Sequence, residues 1–181
     1  MKKLLLLGLL LALAGSANAF TCDFEGLPLD YYYFYGSQNI GGYYPGVTFG
    51  NNCYILDAVI GGYNSGSYPP HSWSAVAVSI GNDQIRADLA SPASHVDVWY
   101  TSGSGSFYLD AYNSNGQLIA SDNGPENTGA TTNLSVDADG IAYVIMHDTG
   151  DYFVIDDFTF DGGGGNPTEE TSWGQIKNLY K

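Results

Sequence analysis

The chain reads as an all-β protein, an antiparallel β-sandwich followed by a glycine linker and a short C-terminal tail that is helical or flexible. Three observations carry that reading. Apolar and polar residues alternate with a period of two along many short segments. Turn-forming residues recur roughly every ten positions between those segments. Glycine (24) and tyrosine (15) are abundant while charged residues make up only 13% of the 181, a balance that suits strands and turns better than helices. Nothing between 20 and 161 sustains a 3.6-residue period.

Residues 1–19 have the form of a secretory leader, with Lys2 and Lys3, an apolar run from Leu4 to Leu13, and Ala17-Asn18-Ala19 as the small-x-small cleavage signature. The run is too short to remain in a bilayer, so cleavage after Ala19, secretion and the lack of a membrane span are expected. Phe20 and Thr21 do not fit the small-residue pattern that lipidation of Cys22 would need. The leader takes two lysines with it, leaving 3 basic against 19 acidic residues, or −16. A chain so acidic does not hold a phosphate backbone, which excludes nucleic acid as a partner. In an oxidising compartment Cys22 and Cys53 are expected to form a disulfide. Closing that loop of about 30 residues is worth roughly 3–4 kcal/mol in the chain-entropy account.

Along the mature chain the alternation predicts strands at 20–25, 46–49, 53–57, 75–80, 84–89, 94–100, 106–112, 117–121, 133–136, 141–147 and 152–160. Asn113-Ser114-Asn115-Gly116 is a hairpin signal, since Asn-Gly accepts the positive φ of a tight turn. Asp137-Ala138-Asp139-Gly140 reads as a second turn of that kind, and Ser102 to Ser106 as a flexible hairpin. The sandwich is expected over 20–161 and a Gly-rich linker over 162–168. In the tail, 169–181, Trp173, Ile176, Leu179 and Tyr180 would share one side of a short helix. Such a helix is marginal alone, so the tail is expected to order against its own domain or a neighbouring subunit, with self-association through 169–181 as one outcome.

The segments FTCDFEGLP (20–28), GVTFG (46–50), SPASHVDVWYTS (91–102), FYLDAYNSNGQLIA (107–120), GIAYVIMHDTG (140–150) and VIDDFTF (154–160) together resemble exported bacterial single-domain jelly rolls. These are of the PEP-CTERM-associated, galactose-binding-like carbohydrate-binding-module type, although the PEP-CTERM sorting segment is missing. The resemblance implies that the first and last strands lie side by side. It also implies that acidic residues from both hold a structural calcium, here Glu25, Asp156 and Asp157. Electrostatics points the same way, because carboxylates brought together repel unless a hard cation neutralises them.

The densest remaining feature is aromatic. Tyr31, Tyr33 and Tyr35 alternate with Tyr32 and Phe34, and Tyr43-Tyr44 follow; a sugar offers an apolar C–H face that stacks on exposed rings. Read as a strand, one face of 31–35 is core and the other is available to ligand. Trp73, in the loop SYPPHSWS (67–74), and Trp99, on the polar face of its strand, are further candidates. His71, His95 and His147 lack metalloprotease spacing, and no G-x-S-x-G occurs. The expectation is therefore a non-catalytic binding module for carbohydrate or a glycosylated surface. The alternative is an extracellular matrix or filament subunit that uses its tail; a secreted polysaccharide hydrolase or lyase ranks below both.

Overall fold

A computed structural model describes residues 19–162 apart from 37, 51, 61–62, 82–83 and 151; the expected leader up to residue 18, the expected linker beyond 162 and the expected tail lie outside the described residues. The strands are β1 (Phe20–Cys22), β2 (Val47–Phe49), β3 (Cys53–Asp57), β4 (Ala75–Ser79), β5 (Gln84–Ser102), β6 (Phe107–Tyr112), β7 (Leu118–Gly124), β8 (Thr132–Asp148) and β9 (Phe153–Phe160). All pair antiparallel. The expected all-β architecture is what forms. Among the described residues no helix is long and apolar enough to cross a membrane.

Two long strands make the sandwich. The first part of β5 (84–89) pairs with β2 and with the end of β8 (143–147), which in turn pairs with β6 and so leads to β7. The second part of β5 (95–102) pairs with the start of β8 and with β9, which carries β4 and β1 on its other side, with β3 beyond β4. β5 and β8 stay paired on both sides of a bend where their register shifts, so both layers share them. The inward residues switch phase at the bend. Ile85 and Ala87 point into the core before it, and Val96, Val98 and Tyr100 after it.

The bends explain where the sequence reading departs from the structure. Expected strands 84–89 and 94–100 are one strand, as are 133–136 and 141–147. Asp137 to Gly140 is not a hairpin turn. It lies within β8, where the ladder slips and Gly140 takes φ +84°, a conformation glycine reaches without a Cβ clash. Residues 102–106 are not a hairpin either, since β5 and β6 are unpaired and the segment crosses between layers. Asn113 to Gly116 is the predicted β6–β7 hairpin, with Gly116 N–H donating to Asn113 O at 3.0 Å.

The core between the layers is aromatic at one end, where Phe49 touches Phe24, Tyr44 and Phe158. Toward the other end Tyr100 stacks on Phe107 at 4.3 Å. A smaller cluster of Leu56, Val76, Val78 and Val154 sits on the outer face of β3–β4–β9, covered by Tyr33, Tyr54, Tyr63 and Tyr68.

Cys22 and Cys53 correct one expectation. Both are free thiols in the main core, where they pack as small apolar side chains rather than as a bridge. Burial pushes both thiols well above the ordinary range, so the reactive thiolate is suppressed. Native protein should therefore resist alkylation, and both thiols should react once it is unfolded without reductant. An intact mass two hydrogens lower, with no alkylation after unfolding, would contradict the structure.

Candidate functional site

The candidate site begins with a bulge in β9. Ile155 faces the core, as do Phe158 and Phe160, a spacing of three and then two that plain alternation cannot give. The extra residue is Asp157, at φ +42°, where the β5–β9 register shifts between Asp97 and Trp99. The bulge keeps Phe158 in the core and turns two adjacent carboxylates toward the loop that precedes β4. The pairing of β1 with β9, which puts Phe20 opposite Phe160 and Cys22 opposite Phe158, brings the Asp23–Gly26 segment to the same place.

Four carboxylates then grip that loop. Glu25 Oε1 accepts the Ser74 and Ala75 N–H groups at 2.9 and 2.7 Å. Asp156 Oδ2 accepts the Ser72 N–H at 2.8 Å, and its Oδ1 accepts the Asp157 N–H at 2.7 Å. Asp57, at the end of β3, accepts the Ser74 hydroxyl at 2.9 Å through Oδ2 and the Val59 and Ile60 N–H groups at 2.7 and 2.8 Å through Oδ1. Asp157 Oδ1 accepts the Ser72 hydroxyl at 3.2 Å, while its Oδ2 meets His71 Nδ1 at 2.6 Å. Asp57 and Asp156 are buried, and none of the ion pairs among the described residues reaches either one. Burial lifts the Asp156 carboxyl to about 7, against the pull of the Ser72 and Asp157 amides.

What the grip presents is Trp73. Its side chain is 92% exposed although its backbone holds φ +42°. Among the described residues three non-glycines have positive φ, Phe24, Trp73 and Asp157, and all three belong to this site. A bulky residue in that region costs of order 1–3 kcal/mol, so the surrounding hydrogen bonds must over-determine it. Below Trp73 opens a cavity of about 620 Å³ lined by Asp23, Glu25, Gly26, Ser72, Trp73 and Asp157. Beside it His71 stacks flat on Trp99, with centroids 3.6 Å apart and planes 9° from parallel.

The predicted residues therefore sort into different roles. Glu25, Asp156, Asp157, Trp73 and Trp99 come together, with Trp73 presented outward and Trp99 supporting His71 from β5. The tyrosine tract is not a strand. It begins in a 3-10 turn, Leu29–Tyr31, and continues as a bridge at Tyr32 and a turn. Tyr32 is buried, Phe34 and Tyr35 are both exposed, and Tyr31 and Tyr33 are half-buried, so the expected alternation of faces does not hold. Tyr43 is exposed and rests edge-on against Tyr31, whereas Tyr44 is core packed on Phe24. The three histidines are apart and meet different carboxylates: His71 meets Asp157, His95 meets Asp137 and Asp97, and His147 meets Asp110.

Sequence reasoning missed Asp57 and the serines, and set Asp23 aside as a ligand although it lines the cavity. An acid closing the apolar strand CYILD was the available signal for Asp57, since such a residue is buried by its neighbours. No three His, Cys, Asp or Glu side chains among the described residues are grouped to hold a metal ion. Glu25 and Asp157 do line one cavity, and Glu25 Oε2 accepts no hydrogen bond among the described residues. A calcium there would draw on these two carboxylates and complete its shell with carbonyls and water; Asp156 is engaged by amides.

No protein-family model and no curated protein matches the chain. Among solved structures it is similar to the K2 cleaved adhesin domain of Lys-gingipain, at 14% identity over 79% of this chain and 99% of that one, with a TM-score of 0.47. It is also similar to the xylan-binding module CBM86 from Roseburia intestinalis, at 12% identity over 64% and 92%, TM-score 0.34. A third is TmCBM61 in complex with β-1,4-galactotriose, at 10% identity over 66% and 91%, TM-score 0.35. The class is set by the chain's own geometry: an antiparallel β-sandwich that holds one exposed tryptophan on a loop over an acid-lined cavity.

The raised Asp156 carboxyl gives a pH signature. A carboxyl held above its unfolded value stabilises the fold at low pH, and that contribution is lost as pH rises from about 4 through 7. In metal-free buffer, thermal stability should fall between pH 5 and pH 8, and Asp156→Asn should flatten that part of the profile. A wild-type curve that rises over this range would contradict the assignment.

Proposed function

We propose that the protein is a secreted, non-catalytic carbohydrate-binding module whose contact residue is Trp73. The observation that carries the reading is the near-complete exposure of an indole on a loop that is backbone-strained and tied down by four carboxylates. A flexible loop would lose backbone freedom on binding; a loop whose backbone is already held loses less. A sugar ring would lay its C–H face on the indole, and its hydroxyls would donate to Asp23, Glu25 and Asp157 in the cavity below. Exposed Tyr35 and Tyr43 offer further ring surface on the neighbouring loop.

The polar groups argue for binding without turnover. The Ser72 hydroxyl donates to Asp156 and Asp157 rather than to the His71 imidazole, so Ser72 and His71 do not form the serine–histidine pair of a nucleophilic hydrolase. The high negative charge favours neutral polymers over anionic ones. Calcium at Glu25 and Asp157 would relieve the charge of the cavity and further fix the loop.

The test is retention of the mature chain on a panel of neutral polysaccharides, in calcium and in chelator. Trp73→Ala should weaken retention by about tenfold or more while leaving the melting temperature unchanged, because the side chain packs on little. Trp99→Ala should instead lower the melting temperature. Chelator should lower it too if calcium is held. Retention indifferent to Trp73→Ala would overturn the reading.

A further inference from the structure

Trp73 does not stand alone. Val59 is 82% exposed, and Ile60, Phe34 and Tyr35 are exposed with it. These residues adjoin one another, since Tyr35 Oη donates to Ile60 O at 2.6 Å and Asp57 holds both the Val59–Ile60 turn and Ser74. The result is an apolar surface on joined loops, with the Asp23, Glu25 and Asp157 cavity at its side. Soluble monomers seldom leave such a surface uncovered, and aliphatic Val59 and Ile60 are poor partners for a sugar.

The complement lies in the same chain. Of its five basic residues two belong to the leader, and Arg86 is taken up by Asp88 at 2.6 Å and by the ring of Tyr143. The remaining cations are Lys177 and Lys181, interleaved with Trp173, Ile176, Leu179 and Tyr180. The reach is sufficient. From Asp157 to Gly162 is five residues, about 17 Å along a strand. The ten residues 163–172 can span up to about 35 Å, twice what a return to the cavity requires.

We infer that residues 173–181 dock on the chain's own Trp73–Val59–Ile60 surface, with a lysine of that segment at the Asp23, Glu25 and Asp157 cavity. The docked segment and a glycan would compete for Trp73, so docking regulates the proposed binding site without depending on it. The experiment is zero-length carbodiimide cross-linking of the full mature chain, read by peptide mass spectrometry. Lys177 or Lys181 should join to Asp23, Glu25 or Asp157 at least about fivefold more often than to exposed Asp137 and Asp139. Trp73→Ala should reduce those cross-links by a similar factor, and dilution should leave the yield per molecule unchanged. Cross-links spread evenly over the acidic residues would overturn the inference. So would a yield that falls on dilution, which would assign the surface to a neighbour's segment. A chain that binds no glycan would leave the cross-links intact, so the two readings fail separately.

Discussion

Asp57 and Asp156 lie almost wholly out of water, and no lysine or arginine among the described residues is bonded to either one. A buried carboxylate without compensation is among the most unfavourable groups a fold can hold. Here the compensation comes from amide and hydroxyl donors of the chain itself, and for each acid part of it comes from the loop that carries Trp73, through Ser72 for Asp156 and Ser74 for Asp57. Satisfying the acids and shaping the loop are therefore one process. Removing a carboxylate would release the loop, and releasing the loop would strand a carboxylate.

That arrangement depends in turn on the sandwich. The bulge at Asp157 exists because Ile155 and Phe158 must both face the core, and it is what directs two acids to one side of β9. The pairing of β1 with β9 delivers Glu25, and the end of β3 delivers Asp57. Three chain segments far apart in sequence thus converge because core packing fixes the strands that bear them. The strain at Phe24, Trp73 and Asp157 is concentrated where those segments meet, which is where the hydrogen bonds can sustain it.

Much of this was legible in the sequence. Alternation fell on each strand among the described residues, although it ran β1 on to residue 25 and divided β5 and β8 in two. Glu25, Asp156 and Asp157, expected to share a calcium, meet around one loop, but the donors that engage them were not foreseen, because hydrogen bonds to loop amides leave no pattern in side-chain identity. The tyrosine tract misled for a related reason. Alternation was applied to a run in which every residue is aromatic, so it could not distinguish a strand from a turn, and only Tyr32 is fully committed to the core. The merging of four expected strands into β5 and β8 was hidden because a bend with a shifted ladder carries the same glycine and proline signals as a turn.

The account turns on carboxylates that hold the Trp73 loop, and backbone amide exchange reads that directly. The Ser72, Ser74 and Ala75 amides should exchange slowly for a loop, with protection comparable to the adjoining strand. Glu25→Ala should speed exchange at Ser74 and Ala75 while the β6–β7 hairpin stays protected. Exchange of these amides at open-loop rates in the unaltered protein would contradict the account.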